Sequence, residues 1–256
     1  MSLRVDGRVF DQIRPVKITY GIYGNAHGSC LFELGNTRVL CSVMIQDGVP
    51  SFLRGTGKGW LTAEYTMLPP ATLVRTPREI SVMRRNNRSV EISRLIGRSL
   101  RAVVDLSLVG ERTVYVDCDV LQADGGTRTA SISGSYCALR HAVQRWMLDG
   151  LLKKSFLCES LAAVSVGAMG ENVLLDVNFE EDSQVAADFN FVMTGSGAIV
   201  EIQGAAEQKP ISWQVVESMK EVASKGITDI LTIVDQTPMV PSTGTSIRGA
   251  RSFIAE

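Results

Sequence analysis

Residues 114–137 constrain the fold more tightly than any other stretch, because a strand, a glycine turn and a helix must follow one another there without a break. Val114, Val116, Cys118 and Val120 alternate with Tyr115, Asp117 and Asp119, the two-residue period of a strand buried on one face. Asp124-Gly125-Gly126-Thr127-Arg128 follows, and its two glycines let the backbone turn sharply and come close to a ligand. Thr127 is the expected N-cap of an amphipathic helix over 128–148, closed by Gly150. Such a helix aims its free N–H groups and positive dipole end at the loop, and Arg128 adds a guanidinium, so the turn suits a phosphate. Taken alone, the pattern fits a capped turn with no ligand equally well.

Net charge is −1, but the charge is segregated. Between Arg75 and Arg101 eight arginines face only Glu79 and Glu91, and between Glu171 and Asp188 six carboxylates stand without a lysine or arginine. Guanidinium groups bind phosphate bidentately, and a cation-free acidic stretch suits a divalent metal. Each block alone is most simply a solvated face. Both in one near-neutral chain favour a metal-assisted reaction on a polyphosphate.

Other chemistries find no support. His27 and His141 form no evident acid–base pair, no serine or cysteine triad is legible, and Gly55-Thr56-Gly57-Lys58-Gly59 lacks the spacing of a nucleotide P-loop. That stretch reads as a flexible loop. The five cysteines are scattered in apolar runs and read as buried free thiols. With no basic-then-apolar start and no apolar run of membrane length, a soluble cytoplasmic protein is expected, with no membrane partner.

Short strands over 30–34 and 38–45 fill the first 70 residues, and a helix over 89–108 follows, with Arg94, Arg98 and Arg101 sharing its polar side. The second half restarts with strands over 161–168 and 173–179. A hairpin then joins 188–194 to 198–203, and a helix over 213–224 is stopped by Gly226. The expected class is α+β, with two similar β-α halves around a shared core. Asp188 opens a strand on its polar side and Asp182 lies just past the preceding strand, so the two carboxylates converge if those strands are neighbours. A shared magnesium ion would then keep waters and take substrate phosphate oxygens. Spacing alone equally permits two loop-end acids facing water.

Several segments resemble the ribonuclease PH family. They are Arg4-Val5-Asp6-Gly7-Arg8 with Gln12-Ile13-Arg14-Pro15, the run Gly59-Trp60-Leu61-Thr62-Ala63-Glu64-Tyr65-Thr66-Met67-Leu68-Pro69, residues 91–102, residues 117–129, and Glu201-Ile202-Gln203-Gly204. The resemblance covers roughly residues 3–235, and archaeal exosome and polynucleotide phosphorylase subunits share its fold. It implies a ribosomal protein S5 domain 2-like fold with a first domain over 10–141 and a second over 159–225; the stretch 236–256, rich in Pro, Ser, Thr and Gly, reads from its composition as a flexible tail. It also implies a phosphorolytic 3′-to-5′ exoribonuclease that trims transfer RNA precursors and other RNA 3′ ends, with inorganic phosphate as co-substrate and Mg2+ as cofactor. The implied assembly is a homohexamer, a trimer of dimers. By the same resemblance Arg88, Gly126, Thr127 and Arg128 bind phosphate, Asp182 and Asp188 are catalytic and hold the metal, and Arg75 and Arg78 bind RNA.

Three departures stand out. Pro70 occupies the place of a family arginine, which weakens the expected grip on RNA more than the chemistry. Asn87-Arg88-Ser89 replaces Gly-Arg-Thr, and Gly204-Ala205-Ala206-Glu207 replaces a Gly-Thr-Ala-Glu pattern. Two other readings remain open at this level: an RNA-binding, exosome-like ring subunit whose activity has faded, and a hydrolytic metal nuclease. The second leaves the arginine-plus-glycine phosphate site without a purpose.

Overall fold

A computed structural model describes residues 4–78, 86–170 and 172–239. Glu79, Arg84 and Arg85 of the basic block, Glu171 of the acidic block and the tail from 240 onward lie outside the described residues.

The first half is a five-stranded sheet in the order β1-β2-β3-β5-β4, formed by Val16–Tyr20, Gly28–Leu34, Thr37–Asp47, Arg112–Gln122 and Trp60–Met67 respectively. All neighbours are antiparallel except β4 and β5, which run parallel and are joined through α1 (Asn87–Arg101). The alternation seen in 114–120 holds, with Val114, Val116, Cys118 and Val120 buried and Tyr115 and Asp117 exposed. The second half is a four-stranded antiparallel sheet, β7-β6-β8-β9, formed by Asn172–Leu175, Leu161–Met169, Ala187–Thr194 and Ile199–Ala206.

Helix α2 (Thr127–Leu148) joins the halves. Gly134, Ala138 and Ala142, spaced four apart, present one stripe to the first sheet. A Cβ on Gly134 would lie 2.9 Å from both Phe32 Cβ and Cys41 Sγ, and one on Gly28 would lie 2.3 Å from the Ala138 carbonyl. Another stripe meets the second half: Ser133 Oγ accepts from Ala163 N at 3.0 Å, and Arg140 donates to the Val234 carbonyl at 3.0 Å. A helix buried on both sides is apolar or small nearly all round, so its amphipathic pattern is weak.

Four expectations need correction. α1 ends at Arg101 rather than 108, because 102–108 turns away and Val104 bridges to Leu157. The strand expected to 179 stops at Leu175, and Phe179–Asp182 form a short helix, α3, held by a capping box between Asn178 and Glu181. The last helix, α4 (Trp213–Gln236), runs through Gly226. That glycine is buried against Leu175, where a Cβ would come within 2.7 Å, so it serves close packing rather than a stop. Cys158 is exposed, unlike the other four cysteines. No helix among the described residues is long and apolar enough to cross a membrane.

Backbone-on-backbone packing between β2 and α2 predicts that Gly28→Ala is destabilising. The clash is with main-chain atoms at 2.3 and 2.5 Å, which cannot rotate away. Overpacking of this kind costs about 1–3 kcal/mol, to be read as a lowered urea midpoint at unchanged m.

Candidate functional site

The turn after β5 places Gly125 (φ 74°) and Gly126 (φ 66°) in the left-handed region that favours glycine. Gly126, not Thr127, is the N-cap of α2, and no side chain caps this end. Thr127 is the first helical residue, and its hydroxyl accepts from Tyr65 Oη at 3.1 Å. The first-turn amides are therefore left without a capping side chain. Arg128 lies 3.5 Å from Glu91 through Nη2, while its Nε is buried without a hydrogen-bond partner among the described residues. Uncapped amides beside an orphaned guanidinium N–H are donors matched to an oxyanion.

Arg88 is the second residue of α1, where Asn86 caps the helix by accepting from Arg88 N at 3.0 Å. Burial pushes the Tyr65 phenol up, while its bond to Thr127 and the charges of Arg88 and Arg128 act against that shift. Both guanidinium groups also act on Asp188. The structure thus brings Arg88, the 126–128 loop and Asp188 into one electrostatic neighbourhood.

Asp182 closes α3 and is exposed; Asp188 is the second residue of β8 and is half-buried. Burial first, then the charge of Asp182, pushes Asp188 up to about 6, with Arg128 and Arg88 opposing and Glu207 adding to the rise. The charge of Asp182 reaches Asp188, but not by the expected route: β6 stands between β7 and β8, and Asp182 is carried by α3 rather than by the end of a neighbouring strand. Glu207 is a neighbour that the sequence pattern did not single out. Pairing of Asp188 with Ala205 across β8 and β9, and a bond from Glu207 N to the Ala186 carbonyl at 2.9 Å, carry it there. Among the described residues no group of three or more His, Cys, Asp or Glu could hold a metal by itself. The donor set is a carboxylate pair. It suits a hard cation that completes its shell with water and phosphate oxygens.

The acidic block is not cation-free in space. Asp176 and Glu181 are buried at 1% and 5% exposure and are bound by Arg4, Arg8 and Arg14 from the N-terminal segment. Two of the six carboxylates are therefore structural. Burial tends to raise Glu181, yet Arg4 and the Asn178 amide hold it below the usual carboxylate range. In the basic block, Arg98 binds Glu201 at 2.6 Å, and Arg101 stacks over Trp60 at 4.5 Å while donating to the Leu61 carbonyl. Arg75 and Arg78 are exposed in the loop that follows the 3₁₀ turn Pro69–Ala71. That turn contains Pro70 where the arginine was expected.

Ionised Asp188 is a strained state of the metal-free protein. The raised value means stability is fully present below the ordinary carboxylate value near 3.8 and is lost as pH rises through about 6. Asp188→Asn removes that loss. Its metal-free Tm should exceed wild type by a few degrees at pH 8, at about 2–4 °C per kcal/mol relieved, with the difference vanishing near pH 4. An equal Tm at both pH values would show that Asp188 is not perturbed.

The chain matches the models for the 3′ exoribonuclease family, domain 1 over residues 12–144 and domain 2 over residues 160–226. Ribonuclease PH of Bacillus pumilus (strain SAFR-032) is 48% identical over 230 residues, covering 90% of this chain and 95% of that protein. Ribonuclease PH of Moorella thermoacetica is 49% identical over 234 residues, covering 91% and 94%. Among solved structures, rice (Oryza sativa) Rrp46 superposes with a TM-score of 0.75 at 20% identity, covering 91% of this chain and 99% of that one. The Archaeoglobus fulgidus exosome with RNA bound to its active site gives 0.76 at 23% identity, covering 90% and 92%. At such identities these two likenesses speak for the fold alone.

Proposed function

The chain belongs to the ribonuclease PH family of 3′ exoribonucleases, and on that premise we propose how its own residues carry the reaction. The protein is a phosphorolytic 3′-to-5′ exoribonuclease that acts on the 3′ ends of transfer RNA precursors. An oxygen of inorganic phosphate attacks the terminal phosphodiester, the bond to the penultimate 3′ oxygen breaks, and a nucleoside diphosphate leaves. The shortened RNA takes up a proton on that oxygen. No bond energy is lost to water, so the reaction runs both ways.

Two anions must meet in this step, and their repulsion has to be offset by fixed positive groups. Arg88, Arg128 and the amides at Gly126 and Thr127 hold the attacking phosphate. The single observation that best supports this is the uncapped start of α2 beside the orphaned Arg128 Nε. Asp182 and Asp188 would hold a Mg2+ ion, which would supply positive charge to the scissile phosphate and the leaving oxygen. Burial, and next the charge of Asp182, raises Asp188, which fits a carboxylate placed to receive a cation. Arg75 and Arg78 contact the RNA backbone ahead of the site. With Pro70 in place of a further arginine, that contact is one charge weaker than the family pattern. Assembly is a hexameric ring built as a trimer of dimers.

A faded, purely RNA-binding ring subunit would have no use for a retained phosphate loop and aspartate pair. A hydrolase would have no use for the phosphate loop. Incubation of the protein with an unstructured RNA 3′ tail and Mg2+ should release nucleoside diphosphates only when phosphate is present. Monophosphates released regardless of phosphate would contradict the reading. Arg128→Ala should raise the KM for phosphate by about 10–100-fold, the scale of losing one charge-assisted contact, and leave RNA binding nearly unchanged.

A further inference from the structure

The buried ion pairs between the N-terminal segment and the second half lie against the site rather than apart from it. Arg14 binds Asp176 bidentately, Nε to Oδ2 at 2.9 Å and Nη2 to Oδ1 at 2.7 Å, and its backbone N–H adds a bond to Oδ2 at 2.8 Å. The same guanidinium donates through Nη1 to the Asp124 carbonyl and through Nη2 to the Gly125 carbonyl at 3.4 Å. It therefore touches the phosphate turn with one edge and the second half with the other. Thr37, fully buried, completes the grip: its hydroxyl donates to the Gly125 carbonyl at 2.7 Å and accepts from Asp124 N at 2.9 Å.

On the second-half side, Asp176 is the only non-glycine residue with positive φ (53°) among the described residues. A strained backbone of this kind persists only where its surroundings determine it. Here the Asp176 carbonyl accepts from Arg4 and Arg8 at 3.0 Å each. Two residues on, Asn178 opens α3, which ends at Asp182. A Cβ on Gly125 would lie 2.7 Å from the Val177 carbonyl oxygen, so the turn is seated directly on this segment.

From this arrangement we infer that Arg14, with Asp176, is a positioning pair that fixes the phosphate turn 124–126 against the segment 176–182 bearing the catalytic Asp182. The peptide unit explains how it acts. In a trans peptide C=O and N–H point in opposite directions. Holding the carbonyls of Asp124 and Gly125 towards Arg14 and Thr37 fixes the turn, and the Gly125 carbonyl so held turns the Gly126 amide the other way, free to receive phosphate with the Thr127 amide beside it. The pair also sets the spacing between those amides and the metal-bearing carboxylates, which sit on the two different halves. A displacement of about 1 Å in such geometry lowers turnover by about 100-fold. The inference rests on the phosphate and metal roles proposed above.

Arg14→Lys keeps the charge but cannot bridge Asp176 and both carbonyls. Thr37→Val keeps the shape and removes one carbonyl donor, and it carries the test if Arg14→Lys does not fold. Gly28→Ala is destabilised away from the site and serves as the stability control. The KM for phosphate should rise at least about tenfold in Arg14→Lys and about two- to fivefold in Thr37→Val, with RNA affinity measured without phosphate unchanged and Gly28→Ala like wild type. An unchanged KM for phosphate in folded Arg14→Lys would overturn the inference. So would a joint loss of phosphate and RNA affinity in Arg14→Lys that Gly28→Ala reproduces at a matched loss of Tm. Titration of inorganic phosphate alone, followed at the Gly126 and Thr127 amide resonances, separates this from the functional reading. A wild-type response lost in Arg14→Lys supports positioning even if no phosphorolysis is found, and amides that ignore phosphate in wild type contradict it.

Discussion

Three arginines from the N-terminal segment and two carboxylates from the second half are taken out of water together. Arg4, Arg8, Arg14, Asp176 and Glu181 are each 7% exposed or less. Removing one partner from such a cluster leaves an uncompensated buried charge, at a cost of about 3–5 kcal/mol. Burial weakens an arginine's hold on its proton, yet Arg14 is shifted up because Asp176 more than compensates. A hydrophobic junction could have given as much stability. What ion pairs add is direction, since bidentate bonds fix both distance and angle. That junction has the turn before α2 on one side and the short helix with Asp182 on the other.

The proposed active groups then divide by sign and by half. Cationic and N–H donors come from α1 and the start of α2; the carboxylates come from α3 and β8. Each set alone is frustrated, with an orphaned Arg128 Nε on one side and a raised Asp188 on the other. A phosphate and a divalent cation placed between them would relieve both, which is the balance expected of a site that handles two anions and a metal.

Local pattern made much of this legible. The period-2 run 114–120, the two glycines and the helix after them are set by neighbours in sequence, and all three are found. The nearness of Asp182 to Asp188 does not come from adjacent strands as the pattern suggests, since β6 stands between β7 and β8 and the short helix α3 carries Asp182. The errors are long-range. Arg14 and Asp176 are 162 positions apart and Arg4 and Glu181 are 177, so nothing in a sequence window shows that the acidic block already has its cations. Gly226 looked like a helix stop because its reason for being glycine, Leu175, is on a strand 51 positions earlier. Thr127 looked like a cap because hydroxyls usually fill that place, whereas here Tyr65 uses it and the cap is left to Gly126.

Direct location of both ligands tests the account most sharply. A crystal of the protein grown with Mn2+ in place of Mg2+ and soaked in phosphate would locate the metal by its anomalous signal. The metal is expected on Asp182 and Asp188, with a phosphate within hydrogen-bond reach of Arg88, Arg128 and the amides at Gly126 and Thr127. A phosphate bound elsewhere, or a metal that leaves both aspartates free, would contradict it.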